Sequence, residues 1–522
     1  MSDEDQVDQV ARAIEDGEEL PAPPDELELA GLERNDVGNG QRLLARHGHN
    51  LLDVAEAGWH VWGGKRWELS IGQRGGPGAE VLRVAHDAQA RIASEAEALK
   101  GSAPKLPGPH DTSLEAERTR EIHAAVLAQA GAHRKFGIAS GNHGKIEGML
   151  KSSAPYRRRL PEDFDSDPCK FNVANGTLHL DGEQVELRPH ARRDLITHIS
   201  PVAYDPEATC PKFHKYLDRV QPDVEQQKFL RVWGGYCLSG LTIEQVLTLH
   251  YGIGSNGKTV LLELWLHIFG DYGATVPIAT FMQEQHSRGA GDATPDIARL
   301  PGMRLVVASE PEKNARLAES VVKTATGGGK MTARRLFEGQ FEFTPNFKLN
   351  IDANNKPLIT GQDEGIWRRV LMCPWPVFLE KHERNKKLRF ELMAEAPGIL
   401  NWLLDGWRMY RESGLYLPDT VLAAIDEYRQ ESDPLRSFIA TCLRAAPGGR
   451  ISRSRLYAAY ERWCKANALD PMKGNAFGRA MTQVGIRRET VGVVFYCDVE
   501  IIEEALEDLE ESGPPSDDPR PP

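Results

Sequence analysis

Val246-Leu-Thr-Leu-His-Tyr251 runs into Gly252-Ile-Gly254-Ser255-Asn256-Gly257-Lys258-Thr259 and out through Val260-Leu-Leu-Glu-Leu-Trp265. The reading of the whole chain turns on this stretch. A short apolar run with the character of a buried strand leads into GxxxxGK[ST], and a helical pattern follows, which is the context the motif requires. The glycines let backbone N–H groups curl around phosphates, and the helix N-terminus adds partial positive charge. An ammonium at Lys258 suits the γ-phosphate, and a hydroxyl at Thr259 suits Mg²⁺. Gly252, Gly254, Ser255, Asn256, Gly257, Lys258 and Thr259 are therefore expected to bind ATP with Mg²⁺, in a nucleoside triphosphatase.

Working outward, the next apolar strand pattern is Arg304-Leu-Val-Val-Ala-Ser309-Glu310. It delivers Glu310 where a carboxylate is needed beside Mg²⁺ and the attacking water, with Glu312 a weaker candidate. A third strand, Phe347 to Ala353, delivers Asn354 in Asn354-Asn-Lys-Pro357, an amide able to orient water or sense the γ-phosphate. Arg368 and Arg369 follow Trp367. Such a pair is either a solvated helix end or an arginine finger reaching a neighbouring subunit's phosphate, and the spacing does not choose between the two residues.

The order GxxxxGKT, strand-Glu, basic hairpin segment, Asn-x-x-Pro and Trp-Arg-Arg resembles the superfamily 3 helicase core. More narrowly, it is similar to the phage/plasmid and poxvirus-type primase–helicase family. Further segments carry the same resemblance: Asn35 to Arg42, the Trp-rich Gly58–Trp67, Asn172 to Leu180, Tyr204 to Ala208, Cys210 to Phe213, and Trp233 to Gly240. Coverage is about residues 31–497. The resemblance implies an AAA+-like α/β P-loop core, a hexameric ring, 3′ to 5′ travel and a pore hairpin. It places that hairpin at Lys330-Met-Thr-Ala-Arg334-Arg335 to Phe343, with Lys323, Lys330, Arg334 and Arg335 gripping strand phosphates. The family's Gly-Gly-Asp is here Gly327-Gly328-Gly329-Lys330. Its polymerising domain is expected to be lacking, because only some thirty acidic residues precede the matched region.

Net charge is −13 over 522 residues, unevenly spread. Residues 1–30 carry net −10 and residues 498–522 net −9, whereas 434–497 carry +8. A basic module suits a nucleic-acid partner, and the acidic ends read as disordered. Within the module, helices are expected at Leu435–Ala445, Arg453–Asn467 and Gly474–Val484, then a strand pair, which is a winged-helix pattern. Lys473, Asn475 and Arg479 would face a major groove and Arg487 and Arg488 a phosphate; protein docking is the competing use.

The expected organisation is an acidic tail (1–30), a small α+β region (31–105), a helix and strand domain (106–240), the ATPase core (241–430), the winged helix (431–497) and an acidic tail (498–522). The Gly/Pro-rich run 101–110 reads as a linker.

Composition, 40% apolar and 27% charged, is that of a soluble globular protein. Seven scattered cysteines without a CxxC pair exclude a zinc ribbon, and sixteen histidines without HExxH spacing give a zinc hydrolase no support. His47-Gly48-His49 lacks the hydrophobe of a nickase metal pair, and Asp163-Phe-Asp165-Ser-Asp167 reads as a solvated acidic turn.

The expectation is therefore a ring-forming, ATP-driven DNA helicase of phage, prophage or plasmid replication in the bacterial cytoplasm. It would act on single-stranded and forked DNA, with a separate primase or loader as a further partner. An origin-binding initiator, a primase–helicase and a small-molecule kinase are the rivals; the last lacks a visible acceptor site.

Overall fold

The computed structural model describes residues 23–72, 76–283, 293–313, 315–335, 339–359, 364–467, 469, 471–505 and 507. Of the two acidic ends, 1–22 and 508–522 lie outside the described residues, as do 336–338, which include Glu338 of the hairpin turn expected around Glu338-Gly339-Gln340.

The N-terminal unit begins with α1 (Glu26–Ala30) and α2 (Asp36–His47), followed by β1 (Leu51–Val54), β2 (Gly58–Trp62) and β3 (Trp67–Leu69). Asn35 caps α2, its side chain accepting from Gly38 N at 2.9 Å. The Trp-rich segment is the expected hairpin, with Trp62 opposite Trp67. Next come α3 (Ala79–Ala90), α4 (Ile92–Gly101), α5 (Leu114–Ala139), α6 (His143–Ser153) and the two-residue β4 (Arg158–Arg159). That last strand returns to pair with β1 in a sheet of order β3-β2-β1-β4. One apolar cluster joins Leu43, Leu51, Val81, Ile146 and Met149.

The boundary expected at 105 therefore falls inside a single packed unit. The run 101–110 connects α4 to α5, and a Cβ at Gly137 of α5 would come within 2.9 Å of Ile92 Cγ2. Nor is 23–30 part of a disordered tail, because Leu29 and Ala30 are buried.

A three-stranded meander follows, β5 (Lys170–Val173), β6 (Gly176–His179) and β7 (Glu186–Arg188), turning at Asn175-Gly176. Just before it, the acidic turn departs from expectation. Asp165 is half-buried, accepts from Thr197 N at 3.0 Å and sits 3.1 Å from His198 Nδ1. Those bonds and the His198 charge outweigh burial and hold its carboxyl below the usual range.

The stretch 211–240 forms two helices, α7 (Pro211–Val220) and α8 (Val224–Leu238), because Pro222 has no N–H to continue the first. The core then runs β8 (Leu247–Tyr251), α9 (Lys258–Phe269), β9 (Gly273–Pro277), α10 (Pro295–Ala298), β10 (Leu305–Ser309), α11 (Glu319–Thr326), β11 (Met331–Arg334), β12 (Gln340–Phe343), β13 (Lys348–Ala353), α12 (Glu364–Trp367) and β14 (Val370–Pro374). Five strands form a parallel sheet of order β14-β8-β13-β10-β9. Both faces are buried, as in α/β folds: Leu305 and Val307 join the cluster with Trp233 and Trp265, while Val306 and Ala308 join the one with Phe281 and Trp367. The helices α13 (Leu388–Met393), α14 (Ala396–Ser413) and α15 (Asp419–Glu431) complete the core.

The C-terminal module is α16 (Pro434–Cys442), β15 (Leu443–Ser452), α17 (Arg453–Ala466), α18 (Gly474–Gln483), β16 (Arg488–Val491) and β17 (Val493–Ile501). Its first helix was expected to reach Ala445. It stops at Cys442, and a strand follows, since Ala446 precedes Pro447 and is biased away from helix. The sheet has order β15-β17-β16, and β17 runs to Ile501, so the first residues assigned to the acidic tail are structured. All seven cysteines are free and six are buried. No helix among the described residues is long and apolar enough to cross a membrane.

Candidate active site

The glycine-rich loop leaves the C-terminal end of β8, an inner strand of the sheet, and it is outside the carboxyl ends of strands that α/β sheets open a crevice. Gly254 (φ 89°) and Gly257 (φ 91°) take left-handed backbone, and Ser255 does so at φ 49° without being glycine. Space also demands glycine. A Cβ at Gly257 would stand 2.8 Å from Val220 Cγ1, and one at Gly252 2.6 Å from Trp375 O. Tyr216 Oη donates to Gly257 O at 2.7 Å, and Leu379 N to Ser255 O at 2.7 Å, so the loop is pinned from both sides. Asn256 is buried, and its Nδ2 has no hydrogen-bond partner among the described residues.

Lys258 is only 3% exposed. Its Nζ donates to Gly252 O at 3.0 Å and to Asn354 Oδ1 at 2.9 Å, and lies 3.4 Å from Asp352 Oδ1. Thr259 Oγ1 donates to Asp352 Oδ2 at 2.7 Å. Lys258, Thr259 and Asn354 thus meet in one place, and the carboxylate among them is Asp352.

Glu310 was expected to be that carboxylate. It lies one residue beyond β10, exposed, at φ 61°, with its N–H donating to Asp352 O at 2.8 Å. Strand order explains the difference. β13 is the direct neighbour of β8, and β10 lies one strand further out, about 10 Å from β8 at roughly 4.8 Å per strand. Sequence reasoning passed over Asp352, although a signal was present: Asn350, Asp352 and Asn354 recur at the two-residue period of one strand face. Glu312 is exposed in the same turn.

Beneath the loop, His250 is fully buried. It lies 3.1 Å from Asn350 Oδ1 through Nε2, and Trp375 Nε1 donates to its Nδ1 at 3.3 Å. Trp233 Nε1 donates to the same Asn350 oxygen at 2.8 Å. Desolvation pushes the imidazole down to about 4, so it stands neutral, with its proton on Nε2.

The two arginines sit at the other end of the sheet. β14 runs parallel to β8 with Val370 opposite Leu247, so Arg368 and Arg369 lie at the edge away from the loop. Arg369 is buried, Nη1 donating to Gly365 O at 2.5 Å and Nη2 to Gln245 Oε1 at 3.3 Å. Arg368 is exposed, and its Nη2 donates to Gln245 Oε1 at 3.3 Å.

The basic hairpin is present as β11 paired antiparallel with β12, Arg334 opposite Gln340. Lys323 lies on α11, 3.7 Å from Glu319; Lys330 is 3.5 Å from Glu342; the Arg335 guanidinium stands 5.0 Å from the Phe341 ring centre. In the C-terminal module Lys473, Arg479 and Arg488 are exposed. Asn475 Oδ1 accepts from Arg453 at 2.9 Å, and Arg487 pairs with Asp498 at 3.1 Å. Among the described residues no group of three or more His, Cys, Asp and Glu is placed to hold a metal.

Comparison with known proteins adds the family. Residues 40–222 match the model described as "D5 N terminal like", and 430–495 the model described as "Poxvirus D5 protein-like". "Putative helicase L207/L206" of Acanthamoeba polyphaga mimivirus is 29% identical over 345 residues, 61% of this chain and 36% of that protein. "Putative helicase 022R" of Frog virus 3 is 27% identical, covering 64% and 39%. "Putative primase C962R" of African swine fever virus is 25% identical, covering 60% and 35%. The chain thus spans between a third and two fifths of the length of these relatives. Among solved structures, the apo NrS-1 C-terminal region covers 58% of this chain and 78% of that chain, at 15% identity and a TM-score of 0.35. D5-type models match on either side of the parallel-sheet core and the relatives named are helicases and primases, so the comparisons support a protein of the primase–helicase kind.

Proposed function

We propose that the chain is an ATP-dependent DNA helicase of superfamily 3 that assembles as a ring and serves the replication of a phage, plasmid or similar element. The observation that carries this reading is the convergence of Lys258, Thr259, Asp352 and Asn354 at the mouth of the glycine-rich loop. Lys258 supplies a compact charge to the terminal phosphates. Thr259 Oγ1 and the Asp352 carboxylate are hard oxygen donors that fit Mg²⁺, an ion held by one or two carboxylates together with substrate phosphates. When bound, Mg²⁺ neutralises phosphate charge. Glu310, exposed at the next strand end, is the general base for the attacking water, and Asn354 orients that water. Arg368 reaches a neighbouring subunit's nucleotide, because within its own chain it stands at the far edge of the sheet. The hairpin of β11 and β12 follows strand phosphates, and residues 434–501 act as a winged helix on DNA.

The test is ATP hydrolysis by the purified chain with and without single-stranded DNA, beside strand displacement on forks of each polarity. DNA-stimulated hydrolysis with directional unwinding supports the motor. Hydrolysis with no unwinding on either fork favours an origin-binding switch, a reading to which the exposed Lys473, Arg479 and Arg488 also lend themselves.

A further inference from the structure

Beyond β14 the chain turns back along the glycine-rich loop. Trp375 N donates to Tyr251 O at 2.7 Å and Leu379 N to Ser255 O at 2.7 Å, so residues 375–379 lie against the loop from its start to its middle. Arg219 of α7 grips the next turn through Glu383, Nε to Oε1 at 2.8 Å and Nη2 to Oε2 at 2.9 Å. The same helix carries Tyr216, which donates to Gly257 O. Loop and segment thus share one support, which fixes their spacing.

Phe378 stands next to Leu379 on this segment and is 48% exposed. Its neighbour Trp375, by contrast, is buried, with its indole N–H committed to His250. The Arg384 guanidinium lies over the Phe378 ring, 5.6 Å from its centre, and Arg384 Nε donates to Leu379 O at 3.1 Å. A lone exposed phenylalanine is ordinary on a protein surface. This one is backed by a guanidinium and tied by its neighbour's backbone to a phosphate-binding loop.

Position decides what the ring would meet. β8 lies between β14 and β13 in the sheet. Asp352 and Asn354, the groups drawn to Mg²⁺ and the terminal phosphate, belong to the β13 side. A nucleotide lying across the loop with its terminal phosphate toward β13 carries its base toward β14 and the segment beyond it.

We propose that Phe378, backed by Arg384, is the stacking platform for the nucleobase of the bound nucleoside triphosphate. The inference rests on the nucleotide-binding reading above and extends it from the phosphates to the base. Stacking engages the π face that every base carries, so the platform adds affinity for the nucleoside part without reading the base edge.

The test uses the full chain as wild type, Phe378→Ala and Phe378→Tyr, with Mg²⁺ present. Two ligands are titrated by calorimetry: adenosine 5′-(β,γ-imido)triphosphate, and inorganic tripolyphosphate, which has the phosphates and no base. Phe378→Ala is expected to bind the nucleotide about ten-fold more weakly, the size of one lost base–aromatic stack, and tripolyphosphate as wild type does. Phe378→Tyr keeps an aromatic face and should match wild type with both ligands. Unchanged nucleotide affinity in Phe378→Ala, an equal loss of tripolyphosphate, or a Phe378→Tyr variant as weak as Phe378→Ala overturns the platform and leaves the phosphate site standing. Failure of the wild type to bind either ligand overturns both.

Discussion

Thr259 Oγ1 donates a 2.7 Å hydrogen bond to Asp352 Oδ2, joining the residue after the loop lysine to a strand carboxylate 93 positions later. The bond exists because β13 lies directly against β8, and Asp352 pairs in register with His250. It sets two acids apart by position. Asp352 touches the loop hydroxyl and lies 3.4 Å from Lys258 Nζ, whereas Glu310 remains exposed one strand away.

That division separates two variants. Asp352→Asn should raise the Mg²⁺ concentration needed for half-maximal ATP turnover by an order of magnitude or more, because it removes a hard anionic donor. Glu310→Gln should leave the Mg²⁺ requirement unchanged and lower turnover about 10²- to 10⁴-fold, the usual range for a lost general base. Turnover across a Mg²⁺ titration of both variants checks the assignment. Equal Mg²⁺ curves for the two would sink it.

The arginine pair gives a second contrast. Arg369 is buried with its guanidinium bonded to Gly365 O and Gln245, so Arg369→Ala should cost about 2 kcal/mol of stability and lower the melting temperature. Arg368→Ala should melt like wild type yet lose ATP turnover. Mixing it with Lys258→Ala protein should restore part of that turnover, since each copy supplies what the other lacks. Absence of rescue at every mixing ratio counts against action across an interface.

How much of this was legible in the chain follows from where the information lies. The loop, the three central strands and the hairpin were readable, since each is a local pattern of alternation or of glycine spacing. Asp352 was passed over because its role depends on which strands are neighbours, and strand order is non-local: Glu310 follows β10, whose place beyond β13 no spacing reveals. The same reason undid the linker at 101–110. Glycine and proline mark a turn, but whether the flanking helices α4 and α5 pack on each other is decided by Ile92 against Gly137, residues 45 apart in sequence. Asp165 reads as a solvated acid until His198 and Thr197 arrive from another loop.

The buried His250 makes stability pH-dependent in a defined direction. Its folded pKa is about 4, against roughly 6.5 when unfolded. Between those values the unfolded chain binds the proton and the folded chain does not. Acidification through that window therefore removes stability, up to about 3 kcal/mol from this residue, with little change above pH 7. A His250→Gln variant should melt lower at neutral pH but lose less between pH 6.5 and 4.5 than wild type does. Parallel curves of melting temperature against pH would show that another group sets the slope.

At the C-terminal end the acidic segment is divided by its pairing. Asp498 pairs with Arg487 at 3.1 Å, Glu503 with Arg455 at 2.9 Å, and β17 continues to Ile501. Deletion from 498 onward would strip the last part of β17 from β15 and destabilise the module. Deletion of 508–522 leaves those contacts intact and removes a net charge of −4. The shorter deletion should therefore preserve the melting curve and strengthen DNA binding several-fold at low salt, if that segment competes with phosphates for Lys473, Arg479 and Arg488. The gain should shrink as salt approaches roughly 200 mM, because screening weakens both the competitor and the DNA. Anisotropy with duplex and single-stranded probes at both salt concentrations measures it, and an unchanged low-salt affinity removes the competition.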